Sequence, residues 1–265
     1  MEWKKQKSKE GLNYALLSAA GIITLLAVWQ LVVSVGLVNE RMLPAPTQIF
    51  ETLMYKFANK APDGNVLWVN ILASLQVALS GFLAAIIIGV PLGLVMGWWT
   101  YADRFIRPIF ELVRPVPPIA WIPLVVVWMG IGLKAKALII FFTAFVPCVI
   151  NSYTGIRLTN PVLIRVAQIY GASNWETFVK IGIPSAIPMI FTGMKLSLNA
   201  AWTTLVAAEL LAASMGLGYM IQLGRRLARP DIIIVGMLTI GFLGALMSWI
   251  LTRIEARFAS SRRLT

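Results

Sequence analysis

The 265-residue chain is 58% hydrophobic and only 13% charged, with a mean hydropathy of +0.79, which excludes a soluble globular domain and points to an integral membrane protein. A net charge of +12 comes with no histidine and a single cysteine. The commonest metal ligand and the usual neutral-pH general base are therefore missing, no disulfide within the chain is possible, and the composition argues against an enzyme. Because the basic residues are scattered between apolar runs and line no single face, membrane topology explains them better than nucleic-acid binding.

Crossing about 30 Å of hydrocarbon takes about 20 apolar residues. Runs of that kind predict an all-α polytopic bundle with spans at roughly 14–36, 70–98, 105–130, 136–156, 185–213 and 232–252. A basic tail, 1–13, carries Lys4, Lys5, Lys7 and Lys9 ahead of the first span, which is too long for a signal-peptide core and is read as a retained anchor. Next, "LPAPTQIFETLMYK" (Leu43–Lys56) predicts a Pro-initiated amphipathic helix along the outer surface, with Ile49, Leu53 and Met54 on one side; a solvated loop is the alternative. The core of the domain follows over 70–252, and the whole chain, 1–265, reads as one membrane domain.

The third span is irregular. "FELVRPVPPIAWIPLVVVWMGIG" (Phe110–Gly132) holds Pro115, Pro117, Pro118 and Pro123, each of which removes a backbone donor and disfavours helix before it. Irregular backbone in lipid must be shielded, so this stretch is expected to face the bundle interior or a partner subunit. It also brings Trp121 and the ionisable pair Glu111 and Arg114, which sit three apart and either neutralise one another or line a path. In the fourth span Cys148 reads as a small buried side chain.

Between the fourth and fifth spans lies "GASNWETFVKIGIPSAIP" (Gly171–Pro188), with the look of a soluble helix. Ser173 and Glu176 have the spacing of a capping box, and Gly171 suits the left-handed turn that ends a preceding helix. Trp175 and Phe178 are expected to be available to a partner.

The fifth span carries Lys195, which either snorkels to the interface or faces a path. "NAAWTTLVAAELLAASMGLG" (Asn199–Gly218) interleaves alanines with Asn199, Thr203 and Thr204. Close helix packing accounts for that pattern, and pore lining is the sharper alternative. Trp202 is a core aromatic or a constriction. Glu209 is a gate candidate or is paired with Arg114, Lys195 or a hydroxyl from another span. The translocation-path candidates are thus Glu111, Arg114, Trp121, Lys195, Asn199, Trp202, Thr203 and Glu209.

With the N-terminus inside, 13 basic residues fall on inner segments and 8 on outer ones, favouring cytoplasmic N- and C-termini. Trp98, Trp99, Trp128 and Trp249 fall near span ends, as interfacial anchors do. The chain has no G-x-x-x-x-G-K-[ST] loop and no acidic or histidine relay, so uphill transport would draw its energy from another protein. A self-sufficient channel or carrier and an assembly scaffold are the competing classes.

Gly171, nine residues, then Ile181, Gly182, Ile183 and Pro184 resemble the G-x9-I-x-[LI]-P signature on the coupling helices of bacterial ABC importer permeases. Where many members show Glu-Ala-Ala, this chain has Arg165, Val166 and Ala167. "RPVPPIAWIPLVVVWMGIG" and "AWTTLVAAELLAASMGLGYMIQ" look like the nitrate, sulfonate, taurine and bicarbonate branch, taurine and alkanesulfonate permeases in particular. The resemblance implies a type I importer permease fold in the bacterial inner membrane. It further implies a homodimer, two cytoplasmic ATPases that bind ATP and Mg, no cofactor in this chain, and a periplasmic or lipid-anchored binding protein. Cargo would be taurine or another organosulfonate, with nitrate or bicarbonate as alternatives. The coupling segment would be Pro161–Pro184, with Arg165, Ala167, Gly171, Ala172, Trp175, Phe178, Ile181 and Pro184 at the ATPase.

Overall fold

The computed structural model describes the backbone of residues 2–212 and 214–260 and the side chains of 16–210 and 214–257. In chain order the α-helices are α1 (Glu2–Ser34), α2 (Pro46–Ala58), α3 (Leu67–Trp98), α4 (Thr100–Val113), α5 (Ile122–Met129), α6 (Leu133–Arg157), α7 (Pro161–Ile169), α8 (Asn174–Thr177), α9 (Ile183–Ala212), α10 (Leu217–Arg226) and α11 (Pro230–Ser260). Among these residues five helices, or six if a bent pair is counted as one, are long and apolar enough to cross a membrane. The expected tail is continuous with the first helix, since α1 begins at Glu2. Of the 13 basic residues placed on inner segments, Arg262 and Arg263 lie outside the described residues, as do the side chains of Lys4, Lys5, Lys7 and Lys9.

The chain forms two compact units: residues up to Val66 with Met220–Leu238, and Leu67–Tyr219 with the residues from Thr239 onward. In the first unit, the Leu16–Ser34 part of α1 leaves most of its apolar surface uncovered, as a lipid-facing helix does. The expected amphipathic helix forms as α2, but Ile49, Leu53 and Met54 do not share one buried side: Ile49 is buried, Leu53 half-buried and Met54 exposed. Lys56, expected on an outer segment, is fully buried. Its ammonium pairs with Asp63 and also donates to the carbonyls of Ala61 (3.2 Å) and Asn65 (2.7 Å), so all three of its donors are met.

In the second unit α3 packs along α6, and α6 along α9. Lipid tails are as apolar as leucine, so spans associate by close van der Waals packing, for which small residues are needed. On α3, Gly81, Gly89, Gly93 and Gly97 form a stripe against α6: a Cβ at Gly81 would lie 2.6 Å from the Ala137 carbonyl, and one at Gly97 would lie 2.8 Å from Ile156. Around this seam Val77, Phe82, Ile140, Ala144, Leu198 and Leu205 form the core, and Cys148 is buried beside Ser197.

The expected third span is two helices. Chain after α4 breaks at Arg114–Pro117, makes a 3-10 turn over Pro118–Trp121, and re-enters helix as α5 with a 79° bend. The proline-poor ends remain helical; the proline-dense centre lacks the amides to do so.

Candidate functional site

The segment after α6 is a hairpin. Asn160 caps α7 by accepting from Val162 N–H (2.9 Å), and Pro161 occupies the first helical position. At the other end Gly171 has φ +79°; its N–H donates to Gln168 (3.0 Å) and the N–H of Ala172 to Ala167 (3.0 Å), the two bonds of a Schellman ending. Two residues on, Ser173 Oγ accepts from Glu176 N–H (3.2 Å) while the Glu176 carboxylate accepts from Ser173 N–H (3.0 Å), closing the expected capping box. The face of α7 is open: Val162, Leu163, Val166, Ile169 and Tyr170 are exposed, as is Arg165, with Ala167 half-buried.

From Phe178 to Gly182 the helix widens into a π-turn before α9 begins. Phe178, its first residue, points inward, and the expectation that it is available to a partner is wrong: it is 4% exposed, 4.7 Å from Trp99 and 5.4 Å from Trp98 between ring centroids. Phe178 still lies beside Trp175, 5.5 Å between ring centroids, and it is the two tryptophans at the end of α3 and just after it that cover its ring. Trp175 is 62% exposed while stacked on Trp99 at 6.1 Å. Trp98 Nε1 donates to Asn174 Oδ1 (3.0 Å). Ala172, Ile181 and Pro184 are half-buried. Beside this corner Asp103 pairs with Arg107 (2.9 Å), and Arg107 and Arg157 both lie against the Tyr153 ring. None of Trp98, Trp99, Asp103 or Tyr153 was singled out as more than an anchor, because nothing local in the sequence marks a tertiary partner.

At the other end of α3 lies a buried polar cluster. Glu209, 1% exposed, accepts from Ser74 Oγ (2.8 Å) and from Gly218 N–H (2.8 Å). Ser74 Oγ in turn accepts from Leu217 N–H (2.9 Å), and Asn70 Oδ1 accepts from Gly216 N–H (3.1 Å). Three consecutive amides at the start of α10 are thereby held by side chains of α3 and α9. The space for the carboxylate exists because positions 216 and 218 are glycine: a Cβ at either would collide with Glu209. Of the partners foreseen for Glu209, the hydroxyl from another span is the one present. Arg114 and Lys195 are engaged elsewhere.

The other path candidates are not gathered in one place. Glu111 and Arg114 pair with each other at 3.4 Å, both about half exposed. Arg114 and Trp121 line one cavity of about 450 Å³, walled largely by aromatic and aliphatic side chains that include Phe110, Phe142 and Phe145. Lys195 pairs with Glu255 of α11, a partner the sequence reading did not name. Trp202 packs on the core and donates to the Ile240 carbonyl (3.1 Å), the core-aromatic alternative in this chain. Asn199 and Thr203 are exposed on α9.

A family model described as "binding-protein-dependent transport system inner membrane component" matches residues 85–260. The chain belongs to this family. It is an ABC importer permease, an integral membrane subunit of a transport complex. Over 257 residues the permease is 34% identical to the taurine transport system permease protein TauC of Escherichia coli, covering 97% of this chain and 92% of that one. It is 30% identical to the nitrate import permease protein NrtB of a Synechocystis species, covering 90% and 87%. Its fold matches a chain of the MetNI methionine ABC transporter in an inward-facing form, with a TM-score of 0.64 at 19% identity over 72% of this permease and 95% of that chain. The residues that carried the resemblance in the sequence, Gly171 and Ile181–Pro184, lie at the left-handed turn and across the π-turn of the hairpin.

Proposed function

We propose that two copies of this permease form the translocation path of an ATP-driven importer for a small anionic or zwitterionic solute, taurine or another organosulfonate foremost. The observation that carries this reading is the hairpin: a rigid, doubly capped element with an open apolar face on α7, placed between two spans. In this reading the hairpin docks on a separate cytoplasmic ATPase that binds ATP and Mg, both termini of the permease are cytoplasmic, and a binding protein delivers cargo from outside. Likeness to the taurine permease at 34% identity supports the organosulfonate assignment. Likeness to the nitrate permease supports the alternative of an inorganic anion.

The broken third span supports the homodimer. Val116, Ile119, Val127, Trp128 and Ile131 are exposed around a backbone interrupted by prolines. Interrupted backbone is not tolerated facing lipid, and a second copy of the same surface shields it.

Reconstitution in proteoliposomes tests the reading. Labelled taurine enters only when the ATPase, ATP and a binding protein are all present. Flux through the permease alone, without ATP, overturns it in favour of a self-sufficient channel. Nitrate uptake without taurine uptake, under the complete conditions, replaces the cargo and leaves the importer.

A further inference from the structure

The hairpin and the Glu209 cluster are joined by one helix. Trp98 closes α3 at the hairpin end, and Asn70 and Ser74 sit in its first turns; 32 residues at about 1.5 Å each make α3 about 48 Å long, with Pro91 inside it near the hairpin end. At the hairpin end the indole of Trp98 fills the notch beside Gly182. A Cβ on that glycine would lie 2.8 Å from the ring, so the residue between Ile181 and Ile183 is small because Trp98 occupies the space. The same indole donates to Asn174 and packs on Phe178, gripping the hairpin on both sides of α8. The π-turn at Phe178–Gly182 lies where this grip is made.

At the far end α3 holds two of the three amides at the start of α10 directly, through Asn70 and Ser74, and supports the third through the Ser74–Glu209 bond. Between the ends, the glycine stripe lets the backbone of α3 lie close against Ile140, Phe145 and Ile156 of α6 over four turns, so α3 and α6 pack as one unit along that length.

We propose that Trp98 is the positioning residue through which the hairpin drives α3, and that α3 delivers this motion to the turn at Gly216–Gly218. The inference rests on the reading of the hairpin as the ATPase contact and adds the route the motion takes.

The test uses the complete complex in nanodiscs, with Cys148→Ser removing the native thiol and Ser214→Cys, an exposed site beside the turn, as the reporter. Maleimide labelling rates are compared in nucleotide-free and ATP-vanadate states. In the reporter protein the rate changes about tenfold between states, within the usual range of allosteric coupling. Trp98→Ala reduces the change to less than about twofold while the complex still co-purifies, and Trp98→Phe, which keeps a ring in the notch, restores most of it. Gly182→Ala, which pushes the indole out from the opposite side, behaves as Trp98→Ala does. A tenfold change retained in Trp98→Ala and in Gly182→Ala overturns the route through Trp98 and leaves the hairpin reading standing. A reporter that ignores nucleotide overturns delivery of the motion to the Gly216–Gly218 turn, and loss of co-purification with the ATPase in the parent overturns the hairpin reading itself.

Discussion

The starts of α8 and α10 pose the same problem, a row of backbone amides without helical partners, and meet it differently. At α8 the partners are local: Ser173 and Glu176 serve each other within four residues, on an exposed turn. At α10 the partners are distant: Asn70 lies 146 residues from Gly216 and Ser74 lies 143 from Leu217, and the whole cluster is buried. An exposed cap that is lost is replaced by water. A buried one has no replacement, so its loss leaves amides and a carboxylate unsatisfied in a medium of low dielectric. The first kind of cap fixes where an element begins, and the second fixes where it sits.

Breaking each cap separates the two cases. Glu209→Ala carries the largest effect, a destabilisation of about 3 kcal/mol, because it strips the Gly218 amide and the Ser74 hydroxyl together; thermal unfolding of the detergent-solubilised permease reads this as a clear fall in Tm. Ser74→Ala follows at about 2 kcal/mol, leaving the Leu217 amide and one side of the carboxylate bare. Were Glu209 a gate residue with no structural duty, both variants would unfold as the parent does and lose only transport. Ser173→Ala costs about 1 kcal/mol, the usual worth of an N-cap, and its loss shows as faster hydrogen exchange confined to 174–178. Lys180→Ala is the smallest: its pair with Glu176 spans 3.4 Å on an open surface, so Tm stays within measurement error.

This contrast also explains what was legible in the sequence. Five spans, the α2 helix, the broken third span and the Gly171 and Ser173 turns all follow from local rules: apolar run length, proline content, capping pairs. The four-glycine stripe on α3 was also written locally, as glycines at 89, 93 and 97 with another at 81, and went unread because only the facing helix shows what the missing side chains make room for. Asn70 and Ser74 carried no signal at all, being ordinary polar residues early in an apolar span. Lys56 looked like a solvated outer charge and is fully buried, since the loop Ala61–Asn65 folds back to supply its partners. Phe178 is buried by Trp98 and Trp99, tertiary partners about 80 residues away that no local pattern around it announces.

The central claim is that force from the ATPase enters this permease through the hairpin. Its most direct test is Gly171→Val, assayed for ATP hydrolysis and solute uptake side by side in the complete complex. A valine at φ +79° is strained although nothing crowds its Cβ, so the turn between α7 and α8 is deformed without a clash elsewhere. Hydrolysis persisting while uptake falls at least about tenfold is the predicted result, within the range of allosteric coupling. Uptake equal to that of the parent protein, at the same rate of hydrolysis, contradicts the account.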